Sequence, residues 1–563
     1  GITTPSVGGP VDLSGSSLTI PDLRIPDPPA KIEMRARGSV TAGLALIDTG
    51  PRHVISNAKL PYDLVDGQGE VSATINLRMK EKNSPEEFRY EVSGRLLNLQ
   101  SDRLVPGHTT TAAEIALSSS NRGMTLEGGA RVGSVPMNGT YVQTFVPGQP
   151  STGRLDVVLP LDRAFLDEFR IALPGGAVTG AANSRLVIDL ERDQPPRFAL
   201  SSDLAGAELR LDSVGWAKPS ASTGALEVRG SSTQPATIDQ LSFDAAGLVA
   251  EGTLRLGADG GFEVASFPDL HLSDWFQGNV SLIGRGAGRS AELIVDGGSL
   301  DLRKADFGEF AQSGAGGGGP VTVHLDKLQV SDGVALTQFQ GNFESGGGLS
   351  GRFNARINND AAVQGSVAPY EGRMAFRLRS DDAGGAFRSI GLLENAIGGA
   401  MELTLAPTGA PGNYAGLLQA TSLRVRDAPS LAELLDAMSV IGLLQQLDGQ
   451  GINFDTVEAR FTLSPDRITI SESSAVGLSL GISMDGVYTL ATKAMNFQGV
   501  VSPVYLLNGI GAIFTRRGEG LIGFNYRMTG TPDATEVSIN PLSIFTPGMF
   551  REIFRQPPPE PSK

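Results

Sequence analysis

The sequence predicts a mostly β protein, assembled from many short antiparallel strands that each carry one apolar face. Three observations point there. A ten-residue phrase recurs, reading GMTLEGGARV from Gly123, GLVAEGTLRL from Gly247 and GISMDGVYTL from Gly481, with a looser relative, GGGLSGRFNARI, from Gly346. Its apolar residues fall at every second place, the period of a strand with one buried side. The second is composition: 72 Gly and 34 Pro in 563 residues, with 6% aromatics, suit many short strands joined by turns. The third is alternation far outside the repeats, as in Val71, Ala73, Ile75, Leu77 and Met79 against Ser72, Thr74, Asn76, Arg78 and Lys80.

Residues 1–30, rich in Pro and Gly, read as an irregular lead-in, and alternation starts at Lys31. Segment 31–312 reads as repeated strands: Phe88, Tyr90 and Val92, then Leu186, Ile188 and Leu190. The acid-Gly pair inside each repeat suggests a bulge or a tight turn. Asp259-Gly260-Gly261 reads as a hairpin turn, and 313–320 (SGAGGGGP) as a flexible connector or loop. From 321 to 555 strands resume at Val321, Val323 and Leu325, at Met374, Phe376 and Leu378, and at Phe524, Tyr526 and Met528. One helix stands out at Ser430–Leu447, with Ser430 and Glu433 as a capping box and an apolar stripe of Leu431, Leu434, Leu435, Met438 and Ile441. Weaker helical patterns lie at Ala164–Phe169, Phe387–Ala396 and Met549–Phe554, and the tail 556–563 (QPPPEPSK) reads as disordered.

Composition narrows the function. A net charge of −15 argues against nucleic acid and against anchoring on anionic lipid through basic residues. The absence of Cys removes disulfides, thiolate metal sites and Cys nucleophiles. The most apolar stretch, Gly499–Phe514, is about 16 residues long and contains Ser502, Pro503 and Asn508, whereas a membrane span needs about 20 apolar residues. The first residues, GITTPSVGGP, show no signal core, so a membrane anchor is expected upstream of this chain.

Catalytic and metal chemistry are not expected. His53, His108, His271 and His324 lack ligand spacing, and His324 with Asp326 reads as a polar surface pair. Asp381-Asp382 reads as a turn before Gly384-Gly385. No phosphate-binding loop, His-Glu-x-x-His or Gly-x-Ser-x-Gly pattern occurs. No cofactor and no enzyme activity are therefore expected.

Strands with one apolar face must cover it. Three arrangements do so: two packed sheets, a wound solenoid, or a sheet curled into a trough around an apolar ligand. Glycines scattered within strands favour bending, and walls of Leu, Ile, Val, Ala and Met leave more room than aromatic fillers would.

The segment from Ser430 to Phe554 resembles the C-terminal region of AsmA-like proteins of the YhdP type. The matching stretches are the helix, GINFDTVEARFTLSPDRITI (Gly451–Ile470), GLSLGISMDGVYTL (Gly477–Leu490), GVVSPVYLLNGIGAIF (Gly499–Phe514) and GFNYRMTGTPDATEVSINPLSIFTPGMFREIF (Gly523–Phe554). The resemblance covers 230–554, and 31–229 by texture. It implies a long curled antiparallel sheet forming a hydrophobic groove (β-taco-like) with a few short covering helices. It also implies an inner-membrane anchor, a periplasmic location and a non-enzymatic role in carrying phospholipids toward the outer membrane. The expected partners are phospholipid acyl chains, with inner- and outer-membrane proteins at the two ends. The candidate groove wall is Leu254, Leu256, Leu325, Phe353, Ile357, Phe376, Leu378, Phe461, Leu463, Ile482, Met484, Phe524 and Tyr526. The helix at Ser430–Leu447 is expected to cover the apolar face. The competing expectation is a structural or adhesive β-solenoid or sandwich with a dry core, binding a protein or glycan.

Overall fold

Apolar residues two apart commit a chain to strands, and short Gly-containing turns between such runs make the pairing antiparallel. That is the architecture of the computed structural model. It describes residues 3–546 apart from 5–6, 50–52, 58–59, 81–82, 85–86, 147–148, 172, 174–175, 212–214, 234–235, 258–261, 287–288, 306–317, 439–440, 504–516, 521 and 532–533. The Asp259-Gly260-Gly261 turn, most of the Gly-rich connector, the Met549–Phe554 helix and the Pro-rich tail lie outside the described residues. The chain divides into two units, one of Gly1–Asp212 and Trp216–Phe267, the other of Pro268–Lys563 with Ser213–Gly215.

Unit 1 is a meander of twelve main strands: Pro29–Ser39, Asp66–Arg78, Arg89–Val105, His108–Ser120, Gly123–Val132, Val135–Thr144, Thr152–Asp162, Val178–Leu190, Arg197–Ser202, Ala225–Ser231, Thr237–Ala245 and Leu248–Leu256. Each pairs antiparallel with the next. Strand direction alternates, so the helices α1 (Val40–Asp48), α2 (Val54–Asn57) and α3 (Arg163–Glu168) all fall on one rim of this sheet. The small ribbon of Ala207–Leu211 and Trp216–Lys218 lies on the same rim. The sequence reading missed α1, because VTAGLALID looks like a continuation of the apolar alternation before it. Ser39 caps this helix by accepting from Ala42 N, and Ala42 and Ala45 are buried. The polar face carries an ion-pair ladder, Arg37–Glu70 at 3.9 Å, Arg95–Glu70 at 3.2 Å and Arg95–Glu114 at 3.7 Å. Exposed pairs of this kind add little stability, so the ladder sets register more than strength.

In unit 2 the strands again pair in chain order, from Pro320–Ser331 through Ala534–Asn540. One departure from the all-antiparallel expectation occurs at its start. Leu293–Asp296 and Ser299–Asp301 run parallel to Pro320–Ser331, which starts at the same end of the sheet as Leu293. Direction again collects the helices α4 (Ala383–Ser389), α5 (Pro429–Ala437) and α6 (Ile441–Asp448), with the 3-10 turn Pro541–Phe545, on one rim of this sheet.

The expected single helix at Ser430–Leu447 is two helices, α5 and α6. The predicted capping box is not the cap: the N-cap is Ala428, it makes no side-chain cap bond, and Pro429 starts the helix with its fixed φ. The helix expected at Phe387–Ala396 lies earlier, as α4. Asp382, read as a turn residue, is its N-cap and accepts from Gly385 N at 2.9 Å.

The repeated acid-Gly pair is not a turn but marks a bulge, its glycine standing opposite the extra residue. Each acid-Gly pair lies inside one strand, and its glycine stands beside a register shift. Gly128 pairs with Ile115, Gly252 with Leu241 and Gly486 with Ile470. In each case the extra residue is on the preceding strand, so the repeat bends its neighbour.

Candidate functional site

Directly opposed residues of antiparallel strands point to the same face. In unit 1 one such row crosses all twelve main strands: Ala36, Val71, Gly94, Leu117, Leu126, Tyr141, Leu155, Ile188, Phe198, Gly230, Ile238 and Leu254. No member is charged. At about 4.8 Å per strand the row is roughly 50 Å long. All of its members except Gly230 remain partly open to solvent. A second packed layer would bury such a row, as sandwich cores are buried. The apolar face of unit 1 is therefore an open surface over most of its length.

Its helical rim is closed. Val135, Val157 and Leu159 form a buried cluster with Phe165 of α3 against it. The last residue of α3, Glu168, ties the helix to two hairpins. Its carboxylate accepts from Ser134 N and Ser134 Oγ, both at 2.9 Å, and meets His108 Nδ1 at 2.8 Å. The Ser134 main-chain N–H, with His108 and the Ser134 hydroxyl, holds the Glu168 carboxyl down to about 2. Gly133 leaves room for that carboxylate, at φ 53°. At α1 and α2, buried Asp48 accepts from Ile55 N at 2.8 Å and from Tyr62 Oη at 2.7 Å, and bonds the Ser56 hydroxyl. The Ser56 and Tyr62 hydroxyls, with the main-chain donors, hold its carboxyl far below the usual range.

Unit 2 carries two rows. One runs Val323, Gly341, Phe353, Gly365, Leu378, Leu403, Leu418, Ala459, Ser473, Met484, Gly499, Tyr526 and Ile539. The next runs Val321, Phe343, Gly351, Val367, Phe376, Leu405, Gly416, Phe461, Ile470, Gly486, Phe497, Met528 and Val537 across the same strands. Glycine repeatedly faces an aromatic ring in these rows. A Cβ on Gly365 would meet Phe353, one on Gly416 would meet Phe461, and one on Gly499 would meet Tyr526, each within 3 Å. The rings lie down on the space that glycine leaves, which keeps the wall low where an aromatic would otherwise project.

Much of unit 2 is filled by its own side chains. Leu325, Leu336, Phe339, Phe343, Phe353 and Ile357 are buried together, with Phe339 and Phe353 stacked at 4.9 Å. Leu434 and Leu435 of α5 and Leu443 and Leu447 of α6 are buried against Leu423, Ile452, Phe454, Leu480, Val501 and Tyr526. α5 follows Tyr414–Val425, yet it packs against the last strand, Ala534–Asn540. Seven strands thus curl around the helix pair, and the helices cover the apolar face. The other face is covered in part as well. Ser483 Oγ donates to Glu519 Oε1 at 2.8 Å, and Gly520 N donates to Ser502 Oγ at 2.8 Å. Ser483 and Asp485, outward polar residues of the third repeat, are consequently buried.

Register and alternation place all thirteen candidate wall residues on the apolar faces. Leu254 and Leu256 lie in unit 1 and the other eleven in unit 2. Leu325, Phe353, Ile357 and Tyr526 are buried among neighbours, whereas Leu254, Leu256, Phe376, Leu378, Phe461, Leu463, Ile482, Met484 and Phe524 are half-buried. The reading from sequence overlooked the longest open stretch, Ala36 to Ile238. Alternation shows which residues share a strand face, but only cross-strand register shows that the faces line up.

The histidines serve local contacts. His324 Nδ1 meets Asp296 at 3.2 Å rather than the expected Asp326, whose carboxylate instead accepts from Gly298 N at 3.1 Å. Among the described residues no group of three His, Asp or Glu side chains is placed to hold a metal ion, and no helix is long and apolar enough to cross a membrane. Compared with protein-family models, with curated proteins and with solved structures, the chain matches none.

Proposed function

We propose that the apolar face binds lipid acyl chains and that the protein is a non-enzymatic phospholipid conduit of the bacterial envelope. In this reading it works in the periplasm, between inner and outer membrane, as the resemblance to AsmA-like proteins of the YhdP type implies. The observation that carries it is the uncharged row from Ala36 to Leu254, half-open on a face that no second layer covers among the described residues. Each CH2 exposed to water costs about 0.8 kcal/mol, so a two-chain lipid leaves a bilayer only for another apolar surface. A row with no charged member gives every position along it a similar affinity, which lets a chain shift from strand to strand.

The test is mass spectrometry of lipids extracted from the purified protein, with two variants. Leu126→Arg sits on the half-open face, so it should fold and lose bound lipid. Phe353→Arg buries an unpaired charge, which should cost at least about 3 kcal/mol and unfold unit 2. Protein that folds and never carries lipid removes the proposal.

A second reading rests on the buried clusters of unit 2: a structural or adhesive protein with a dry core. Lipid-free protein in which Leu126→Arg is as damaging as Phe353→Arg supports that reading.

A further inference from the structure

A cavity of about 870 Å³ opens on the polar face of the unit 1 sheet. Its lining holds the whole row Arg35, Ser72, Ser93, Ser118, Thr125 and Val142, opposed residue to residue across six strands. The neighbouring row, from Glu33 through Thr74 and Glu91 to Thr144, lines it as well. Ser16 Oγ accepts from Arg35 N at 3.0 Å, which brings Gly15 against the Arg35 side chain at one end. Arg122, in the turn after Ser120, borders the cavity four strands away. What sets this stretch apart is how much of it is left unbonded. One row along the same strands, arginines are tied to carboxylates, as Arg37–Glu70–Arg95. Inside the cavity, the hydroxyls of Ser72, Thr74, Ser93, Ser118, Thr125 and Thr144 bond no described residue. The Arg35 and Arg122 guanidinium groups and the Glu91 carboxylate also make no hydrogen bond or ion pair with any described residue. Glu33 alone is paired, with Lys31 at 2.6 Å.

The lining points to the occupant. A polyanion site is built from basic residues, whereas the free charges here are of both signs. A protein hot spot needs a buried aromatic or aliphatic anchor, and Val142, the one large apolar side chain of the two rows, is exposed. What the rows offer is hydroxyls, each able to donate and to accept. A ligand that donates and accepts at every position matches them, and that is a chain of sugars. Five strand spacings of about 4.8 Å make the rows roughly 24 Å long. Linked pyranose rings advance by close to one strand spacing each, so rings laid across the strands meet fresh hydroxyls at every strand. The volume lies within the ~300–1,000 Å³ of small-molecule sites. We infer that this cavity binds a neutral oligosaccharide, laid across the six strands on the hydroxyl rows and gripped by Arg35 and Arg122. The site is on the face opposite the acyl-chain row and does not depend on that reading.

The probes are cellohexaose and tripolyphosphate, titrated into the purified full chain at neutral pH and followed by calorimetry. Cellohexaose should bind and tripolyphosphate should not. Arg35→Gln and Arg122→Gln, changes of exposed side chains, should each weaken cellohexaose about ten-fold, the reach of hydrogen bonds to a charged group. Ser93→Leu, checked for folding by circular dichroism, fills the middle of the cavity and should abolish binding. Arg154→Gln, on the same face but outside the cavity and paired with Asp189, should leave binding unchanged. If Ser93→Leu does not fold, the two arginine variants carry the test. Cellohexaose that fails to bind the parent, or that binds both arginine variants as tightly as the parent, overturns the assignment. Tripolyphosphate binding in place of cellohexaose overturns it too, because the cavity is then an anion site. None of these outcomes touches the acyl-chain reading, which stands or falls on extracted lipid.

Discussion

Lys218 is fully buried and has no carboxylate partner among the described residues. Its ammonium instead donates to four main-chain carbonyls, Leu204 at 2.8 Å, Ala207 at 3.0 Å, Pro219 at 3.1 Å and Ser222 at 2.6 Å. A buried charge is tolerable only when its hydrogen-bonding capacity is met, and here three N–H donors face four acceptors. The side chain acts as a tethered cation that gathers the turns on either side of the Ala207–Leu211 and Trp216–Lys218 ribbon. Trp216 anchors the same ribbon, packing on Phe243 at 5.8 Å and donating to Ala246 O at 3.0 Å. Lys218→Met keeps the apolar stem and leaves the carbonyls orphaned. It should destabilise unit 1 by about 3 kcal/mol, seen as a lower urea midpoint with an unchanged slope. An unshifted midpoint would mean that the ribbon is held by Trp216 alone.

At the scale of elements, the helices act as covers, and carboxylates fix them in place. Glu168 joins α3 to the turns at His108 and Ser134, with its carboxyl held near 2 against an ordinary 4.5. A depressed carboxyl stabilises the fold above its unfolded value, and that contribution is lost as pH falls through the folded one. The contribution of Glu168 is therefore complete at neutral pH and disappears between about pH 4.5 and pH 2. Glu168→Gln should lower the unfolding temperature at pH 7, and the gap between variant and parent should narrow to nothing toward pH 2. A gap that is constant with pH would assign the effect to side-chain shape. Placement of helices follows from topology more than from local sequence. α1 reads as a strand by its apolar pattern and becomes a helix because Ser39 caps it and the rim of the sheet offers a surface for Ala42 and Ala45. α5 and α6 were legible as helical, because Leu431, Leu434, Leu435 and Met438 have helical spacing. Their separation and the Pro429 start were not, since a cap is decided by backbone geometry that a Ser-x-x-Glu pattern only suggests.

For the whole molecule, the two units use one strand grammar to different ends. Unit 1 leaves its row half-open, and unit 2 closes much of its own with Phe339, Phe343, Phe353 and the α5–α6 pair. Lipid bound to the open face should therefore stabilise unit 1 by mass action, about 2.7 kcal/mol at a hundred times Kd. Adding a short-chain phosphatidylglycerol below its aggregation limit should raise the calorimetric unfolding temperature of the parent by several degrees. Leu126→Arg should show no rise; an equal rise in this variant would place the lipid elsewhere.

The amino-acid sequence by itself determined that this is a β protein with one apolar side to each strand, because side-chain alternation is a local property with a fixed period of two. It also fixed the thirteen wall candidates on the apolar side, for the same reason. What the tertiary structure alone decided was which of those faces stay open. Register joined Ala36 to Leu254 into one line, and curling buried Phe353 and Tyr526 while leaving Leu378 and Met484 half-open. Openness depends on what lies across the sheet from a residue, dozens of positions away in the chain, and no local pattern of residues encodes that neighbour.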